Sequence, residues 1–159
     1  TRLVSDWSSD VCSSDLELGN LEKALKFYQD YNQLEKQLYE SYPSNVSFKN
    51  GLAISYEKLG KTHAELGNLE KALKFYQARS ELGKQLYESY PSNVSFKNGL
   101  AISYEKLGDF YKNHRKDKSK ANVYFKQAEA LWLELVRDAP AYVQFQKFLG
   151  MVQDDLKSL

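Results

Sequence analysis

Glu17–Gly60 reads ELGNLEKALKFYQDYNQLEKQLYESYPSNVSFKNGLAISYEKLG. Glu65–Gly108 reads ELGNLEKALKFYQARSELGKQLYESYPSNVSFKNGLAISYEKLG, so the passage recurs after 48 residues with 39 of 44 positions identical. A weaker third pass follows. Self-similarity at such a period marks stacked units, each burying its apolar face against its neighbours. The 159-residue length therefore does not by itself imply one compact domain.

One unit reads as two helices. Ser44-Asn45 follows Pro43 and precedes an amphipathic run, a helix-start signal. Phe48, Leu52, Tyr56 and Leu59 then recur at the spacing of one helical face. Gly67-Asn68 interrupts, as a pair tolerant of left-handed backbone does between helices. A second periodic run comprises Leu69, Ala72, Leu73, Tyr76, Leu82, Leu86, Tyr87 and Tyr90, and Pro91 closes it. Neither run alternates at period two, and both exceed strand length. Two helices of about 20 residues, each roughly 30 Å long, are predicted.

The residues around the turn carry a family likeness. Tyr56-x2-Leu59-Gly60-x2-His63-x3-Gly67-x4-Ala72-x3-Tyr76 resembles a tetratricopeptide repeat, or TPR. The third pass offers Tyr104, Leu107, Gly108, Tyr111, Ala121, Phe125 and Ala128, while the first retains Gly19, Ala24 and Tyr28. In that pattern small residues sit where paired helices cross closely and aromatics fill the gaps beside them. The resemblance implies an all-α fold, an α-solenoid of antiparallel helix pairs in a right-handed superhelix, here with long helices. The family period is about 34 residues. The additional length corresponds to about four helical turns, placed as two on each helix, which preserves their facing. A second departure is the small residue expected three positions after the aromatic. It is Tyr31 in the first copy and Arg79 in the second, and only Ala128 complies. Looser or differently tilted helix contacts are expected there. HEAT-type repeats, with periods of about 40–47, are the competing architecture, and the LG…G…A…aromatic series favours TPR.

The organisation expected is a second helix of a truncated repeat at 17–43, complete repeats at 44–91 and 92–140, and a C-terminal capping helix at 141–159. In the third unit one residue is inserted in the turn and its glycine is lost, leaving Lys112, Arg115, Lys116, Lys118 and Lys120 against Asp117. A solvated basic turn is preferred to an anion contact, since no aromatic interleaves. Beyond Pro140, Phe145 and Leu149 fall in phase with Phe96 and Leu100. Gln144, Gln146, Lys147, Gln153, Asp154, Asp155 and Lys157 would give that helix a polar outer face.

Residues 1–16 share nothing with this phase. Asp6–Leu16, DWSSDVCSSDL, resembles the conceptual translation of a synthetic sequencing adaptor and is excluded from fold reasoning as a non-native, disordered segment. Cys12, the one cysteine, and Trp7 go with it. Natural sequence is then expected to begin at Glu17, with a longer array upstream. The helix over 21–42 is left without a paired first helix, and self-association through its apolar face is expected.

Chemistry is sparse. The net charge of +1 becomes +3 without Arg2, Asp6, Asp10 and Asp15, which points to no polyanion partner. No run approaches the roughly 20 apolar residues of a membrane span, and a cytoplasmic location is expected. No P-loop, HExxH, GxSxG, CxxC or EF-hand spacing occurs. His63 stands at a packing position that is Tyr111 in the next unit, and His114 has no ligand-spaced companion. Carboxylates fall largely in Glu–Lys pairs such as Glu57 and Lys61. A non-enzyme with no catalytic residue, cofactor or metal is expected.

The TPR resemblance implies a concave face lined by first helices. It maps onto Asn50, Ile54, Glu57, Lys61 and Glu65 in one unit and Asn98, Ile102, Glu105, Asp109 and Asn113 in the next. That stripe is slightly acidic around an isoleucine, which suits a peptide or partner protein with basic and apolar side chains. A merely solvated helix face is the plain alternative for each residue. Glu57 and Glu105 stand where some TPR domains place a basic residue to clamp a chaperone's C-terminal carboxylate, which argues against that partner. The leading expectation is a protein-interaction scaffold. The alternatives are the regulatory tail of a larger signalling NTPase or protease, and nucleic-acid binding through the basic turn. Asp30, Tyr31, Asn32, Gln33 and Glu35 become Ala78, Arg79, Ser80, Glu81 and Gly83 between the two good copies. This cluster reads either as free surface or as ligand tuning.

Overall fold

The computed structural model describes residues 5–159, with side chains from Leu18 onward. The expected adaptor-like segment lies outside the described residues for positions 1–4 and for all its side chains. Six α-helices follow in order: α1 Ser5–Ser41, α2 Val46–Glu65, α3 Leu69–Ser89, α4 Val94–Phe110, α5 Lys118–Asp138 and α6 Val143–Lys157. A π-helical turn, Tyr111–Arg115, links α4 to α5. There is no strand among the described residues. Each helix packs on the next in sequence, α1 on α2 through to α5 on α6. No described helix is long and apolar enough to cross a membrane.

Local chemistry sets the boundaries. Asn45 Oδ1 accepts from the Ser47 and Phe48 amides at 2.9 and 3.2 Å, and Asn93 Oδ1 accepts from Phe96 at 3.1 Å. Each satisfies N–H groups that a helix start leaves unpaired. Leu66 ends α2, and Gly67 turns the chain with φ 75°. The Gly67 amide donates to Ala64 O at 3.0 Å and the Asn68 amide to His63 O at 2.8 Å, a Schellman closure. The inserted residue of the third unit is absorbed differently. The chain widens into the π turn, the Asp117 amide donates to Tyr111 O at 2.9 Å, and Lys116 takes the left-handed place with φ 53°. Gly19-Asn20, which corresponds to Gly67-Asn68, makes no turn. It lies inside α1, so the boundary expected at Glu17 falls within a helix.

Within each pair an aromatic ring lies directly on a glycine. A Cβ added to Gly60 would stand 2.7 Å from Tyr76 Cδ1 and Cε1, and one on Gly108 would stand 2.6 Å from the same atoms of Phe125. The expected division of small residues and aromatics takes this form. Leu59, Ala72, Leu107 and Ala121 are buried around the two crossings. The main apolar cluster runs from Ala72 and Tyr76 of α3 through α4 and α5 to α6. Within it Trp132, fully buried, has Phe145 at 5.8 Å and Phe148 at 5.0 Å, with Phe110, Phe125, Leu135 and Val152 also buried. Burying each such side chain stabilises by about 1.5–3 kcal/mol over leaving it exposed. Gln144, Gln146, Lys147, Asp154 and Lys157 of α6 are exposed, Gln153 and Asp155 half-buried.

The two crossing glycines separate packing from propensity. Alanine raises intrinsic helix stability by about 1 kcal/mol over glycine, yet at Gly60 or Gly108 it must displace a buried ring. G60A and G108A are expected to destabilise by about 1–3 kcal/mol. G150A, with nothing within 4 Å of the new methyl, is expected to stabilise by up to about 1 kcal/mol. Chemical denaturation of the three variants checks the contrast.

Candidate functional site

The stripe read from the sequence runs along α2 and α4, and its ten residues divide by environment. Ile54, Lys61, Glu65 and Asn113 are exposed, while Asn50, Glu57, Asn98, Ile102, Glu105 and Asp109 are half-buried. Lys61 and Glu65 pair with each other at 3.8 Å across one turn, a contact worth a few tenths of a kcal/mol at such exposure. Ile102 packs against the main apolar cluster. Asn98 Oδ1 is buried with no hydrogen-bond partner.

Glu57 is committed inward. Its Oε2 lies 3.4 Å from Nε of Arg79, whose Nη2 donates to Gly99 O at 3.1 Å. Arg79 is 5 % exposed and joins α2, α3 and α4. Burial lowers its pKa, and Glu57 raises it again. At this position, where looser or differently tilted contacts are expected from the sequence, the guanidinium fills the space between the helices. Two glycines make the room: a Cβ on Gly83 or Gly99 would stand 2.9 Å from an Arg79 terminal nitrogen. In the first unit burial, with Glu35 one turn along α1, raises the Tyr31 pKa, and a Cβ on Gly51 would run into the Glu35 carboxylate. Asn32 Nδ2 donates to Ser55 Oγ at 2.7 Å in that unit. Of the five differences between the two good copies, Asn32 and Arg79 make contacts to other helices and Glu35 and Gly83 stand at helix crossings, whereas Asp30, Gln33 and Glu81 are exposed.

The next unit has no counterpart to Arg79. Ala128 stands there, and Glu105 and Asp109 form no ion pair among the described residues. Burial raises the pKa of both against the opposing pull of Lys106; Asp109 and then Asp155 on α6 raise Glu105 further, and Asp155 raises Asp109 while Lys112 opposes it. Tyr76 connects the two stripes. Burial, then the charges of Glu65, Glu57 and Asp109, push its hydroxyl to about 12. The stripe thus carries a surplus of partly desolvated negative charge between α4 and α6.

His63 is 3 % exposed and stacked on Phe75 at 5.5 Å, and burial with the nearby Lys71 lowers its pKa. Its Nδ1 has no partner. His114 is exposed against the Phe110 ring at 5.2 Å. The basic turn is largely paired within the chain. Lys112 Nζ reaches Asp155 at 2.6 Å and Ser158 at 2.7 Å, Arg115 pairs with Glu70, and Lys120 lies 5.1 Å from the Tyr111 ring. Among the described residues no three of His, Cys, Asp or Glu are arranged to hold a metal ion.

One feature escaped the sequence reading. A cleft of about 320 Å³ is walled by Lys36, Tyr39 and Glu40 of α1 and Ala78, Glu81 and Leu82 of α3, over Leu52 and Tyr56. A second of about 270 Å³ repeats it with Lys84, Tyr87, Glu88, Leu100, Tyr104 and Leu131. Its signal in the sequence was the recurrence of Tyr39, Leu52 and Tyr56 as Tyr87, Leu100 and Tyr104. These positions read as ordinary core.

The chain matches no family model and no curated protein sequence.

Two predictions follow from the charges. Arg79→Ala is expected to cost about 2 kcal/mol, below the 3–5 kcal/mol of a fully buried pair, because Glu57 is one-third exposed and rehydrates. Adding Glu57→Gln to it is expected to change little, and a double-mutant cycle measures that coupling. For Glu105 and Asp109 the folded pKa lies above the unfolded one. Their contribution is fully favourable below the unfolded pKa, in the acid range, and is lost as pH rises through the folded value. Glu105→Gln and Asp109→Asn are therefore expected to raise the thermal midpoint at pH 7 and to leave it nearly unchanged at pH 3.5.

Proposed function

We propose that the chain is a non-catalytic interaction scaffold of TPR type. Its helix pairs stack as a right-handed solenoid, and the face formed by α2 and α4 binds a peptide or partner protein bearing basic and aliphatic side chains. The observation that carries this reading is the pair Glu105 and Asp109. Both are half-buried, burial raises the pKa of both against the pull of Lys106 and, for Asp109, Lys112, and neither forms an ion pair among the described residues. A carboxylate desolvated without compensation destabilises the fold that holds it. An arriving lysine or arginine gains a charge-assisted hydrogen bond at a site whose desolvation has already occurred. Ile54, 37 % exposed, and Ile102 supply the apolar part of the same stripe.

Two further features support the scaffold reading. Helices that pack chiefly on their sequence neighbours leave an extended surface. The seating of Tyr76 on Gly60 and of Phe125 on Gly108 also supports it.

Selection from a random peptide library displayed on phage tests this reading. Enrichment of Lys- or Arg-containing peptides with an Ile, Leu or Val anchor is expected. Synthetic versions should bind at least fivefold more weakly to Glu105→Gln, Asp109→Asn and Ile54→Arg, and more weakly in 0.5 M than in 0.05 M salt. Enrichment of acidic peptides, or affinity indifferent to all three substitutions, would sink the proposal.

A further inference from the structure

The face of α1 turned away from α2 is apolar and open, and the molecule itself contains the partner that fits it. On α1, Phe27 is 66 % exposed, Leu34 60 % and Leu38 38 %. The matching residues of α3 are Phe75, Leu82 and Leu86. Phe75 and Leu82 are half-buried there, and Leu86 is 2 % exposed. Ala24 and Tyr28 are half-buried, whereas Ala72 and Tyr76 are buried. The two helices are otherwise nearly the same. LEKALKFYQ occupies 21–29 and 69–77, and KQLYESY occupies 36–42 and 84–90.

What covers this face on α3 is α2. The Phe75 ring meets Tyr56 at 5.9 Å and His63 at 5.5 Å. Tyr76 lies on Gly60. Leu82 borders the cleft floored by Leu52 and Tyr56, and Leu86 faces Val46 and Asn45 at the start of α2. Every residue of α3 named in these contacts is present on α1, at Phe27, Tyr28, Leu34 and Leu38. The repeat thus specifies both the surface and its complement.

We propose that the outer face of α1, from Leu21 to Leu38, is a docking site for a second helix of the α2 type, supplied from outside residues 1–159. Such a helix carries the pattern Phe48-x3-Leu52-x3-Tyr56-x2-Leu59-Gly60-x2-His63. Its glycine receives the Tyr28 ring, its tyrosine and histidine bracket Phe27, and its first turn covers Leu38. The chain's own last helix is not this occupant. α6 carries Lys157 where α4 has Gly108, and Gln153 where α4 has Tyr104. A lysine at the crossing occupies the place the ring needs, so copies do not add end to end through α6, the kind of non-closing contact that builds filaments.

The test uses the full chain and a fluorescein-labelled peptide of residues 44–68, followed by anisotropy. Saturable one-to-one binding is expected. Gly60→Leu in the peptide should weaken it at least tenfold. Gly51→Leu, the same change on the face that meets α1 in the intact chain, should alter it less than twofold. Phe27→Ala in the protein should also weaken binding at least tenfold without lowering the thermal midpoint, and Glu105→Gln should have no effect. That last arm separates this site from the stripe of the proposed function. Absence of saturable binding overturns the proposal, as does equal loss with both glycine variants, which indicates unspecific apolar adsorption. A dimer in sedimentation that Phe27→Glu disperses and the peptide does not also overturns it, because the occupant is then a second α1.

Discussion

The contact on which the structure rests is an aromatic ring laid on a glycine. Tyr76 on Gly60 and Phe125 on Gly108 fix how closely the two helices of each pair approach. At that separation Leu59, Ala72, Leu107 and Ala121 can all be buried together. A side chain on the glycine would lift the ring and open every contact around it, since packed interiors leave no spare volume. The turn matters less. Gly67 closes one unit through a left-handed residue and a Schellman pair, while a π turn and Lys116 close the next, and both deliver an aromatic to its glycine.

Between units the solution is polar and adjustable. Tyr31 with Glu35, Arg79 with Glu57 and Gly99, and Ala128 alone are three fillings of equivalent positions on successive second helices. Two of the substitutions that separate the good copies belong together: Arg79 occupies room that Gly83 leaves. Where the small residue stands, Glu105 is left without its guanidinium. Its charge, with that of Asp109, then has no ion-pair partner among the described residues.

Much of this was legible in the sequence. Helix lengths, the start after Asn45 and the turn at Gly67 follow from periodicity and capping chemistry, which are local, whereas the pairing of small residues with aromatics is what the family resemblance implies. The burial of Arg79 was not legible. Its partners Glu57 and Gly99 lie on two other helices, and an arginine in place of alanine reads as a loosened contact until the two glycines around it are seen together. The stripe was found as a register of positions. That Glu57 is neutralised while Glu105 is not depends on a residue more than twenty positions away. The paired clefts beside Tyr56 and Tyr104 went unnoticed because a core tyrosine and a cleft tyrosine share one periodicity.

The sequence alone determined the repeat, its two helices, and which faces are apolar, because these depend on residues within a few turns of one another and recur unchanged from copy to copy. Only the tertiary structure decided which polar side chains are spent inside and which are left over. That depends on distances between helices, set where a ring meets a glycine, and no single helix contains both.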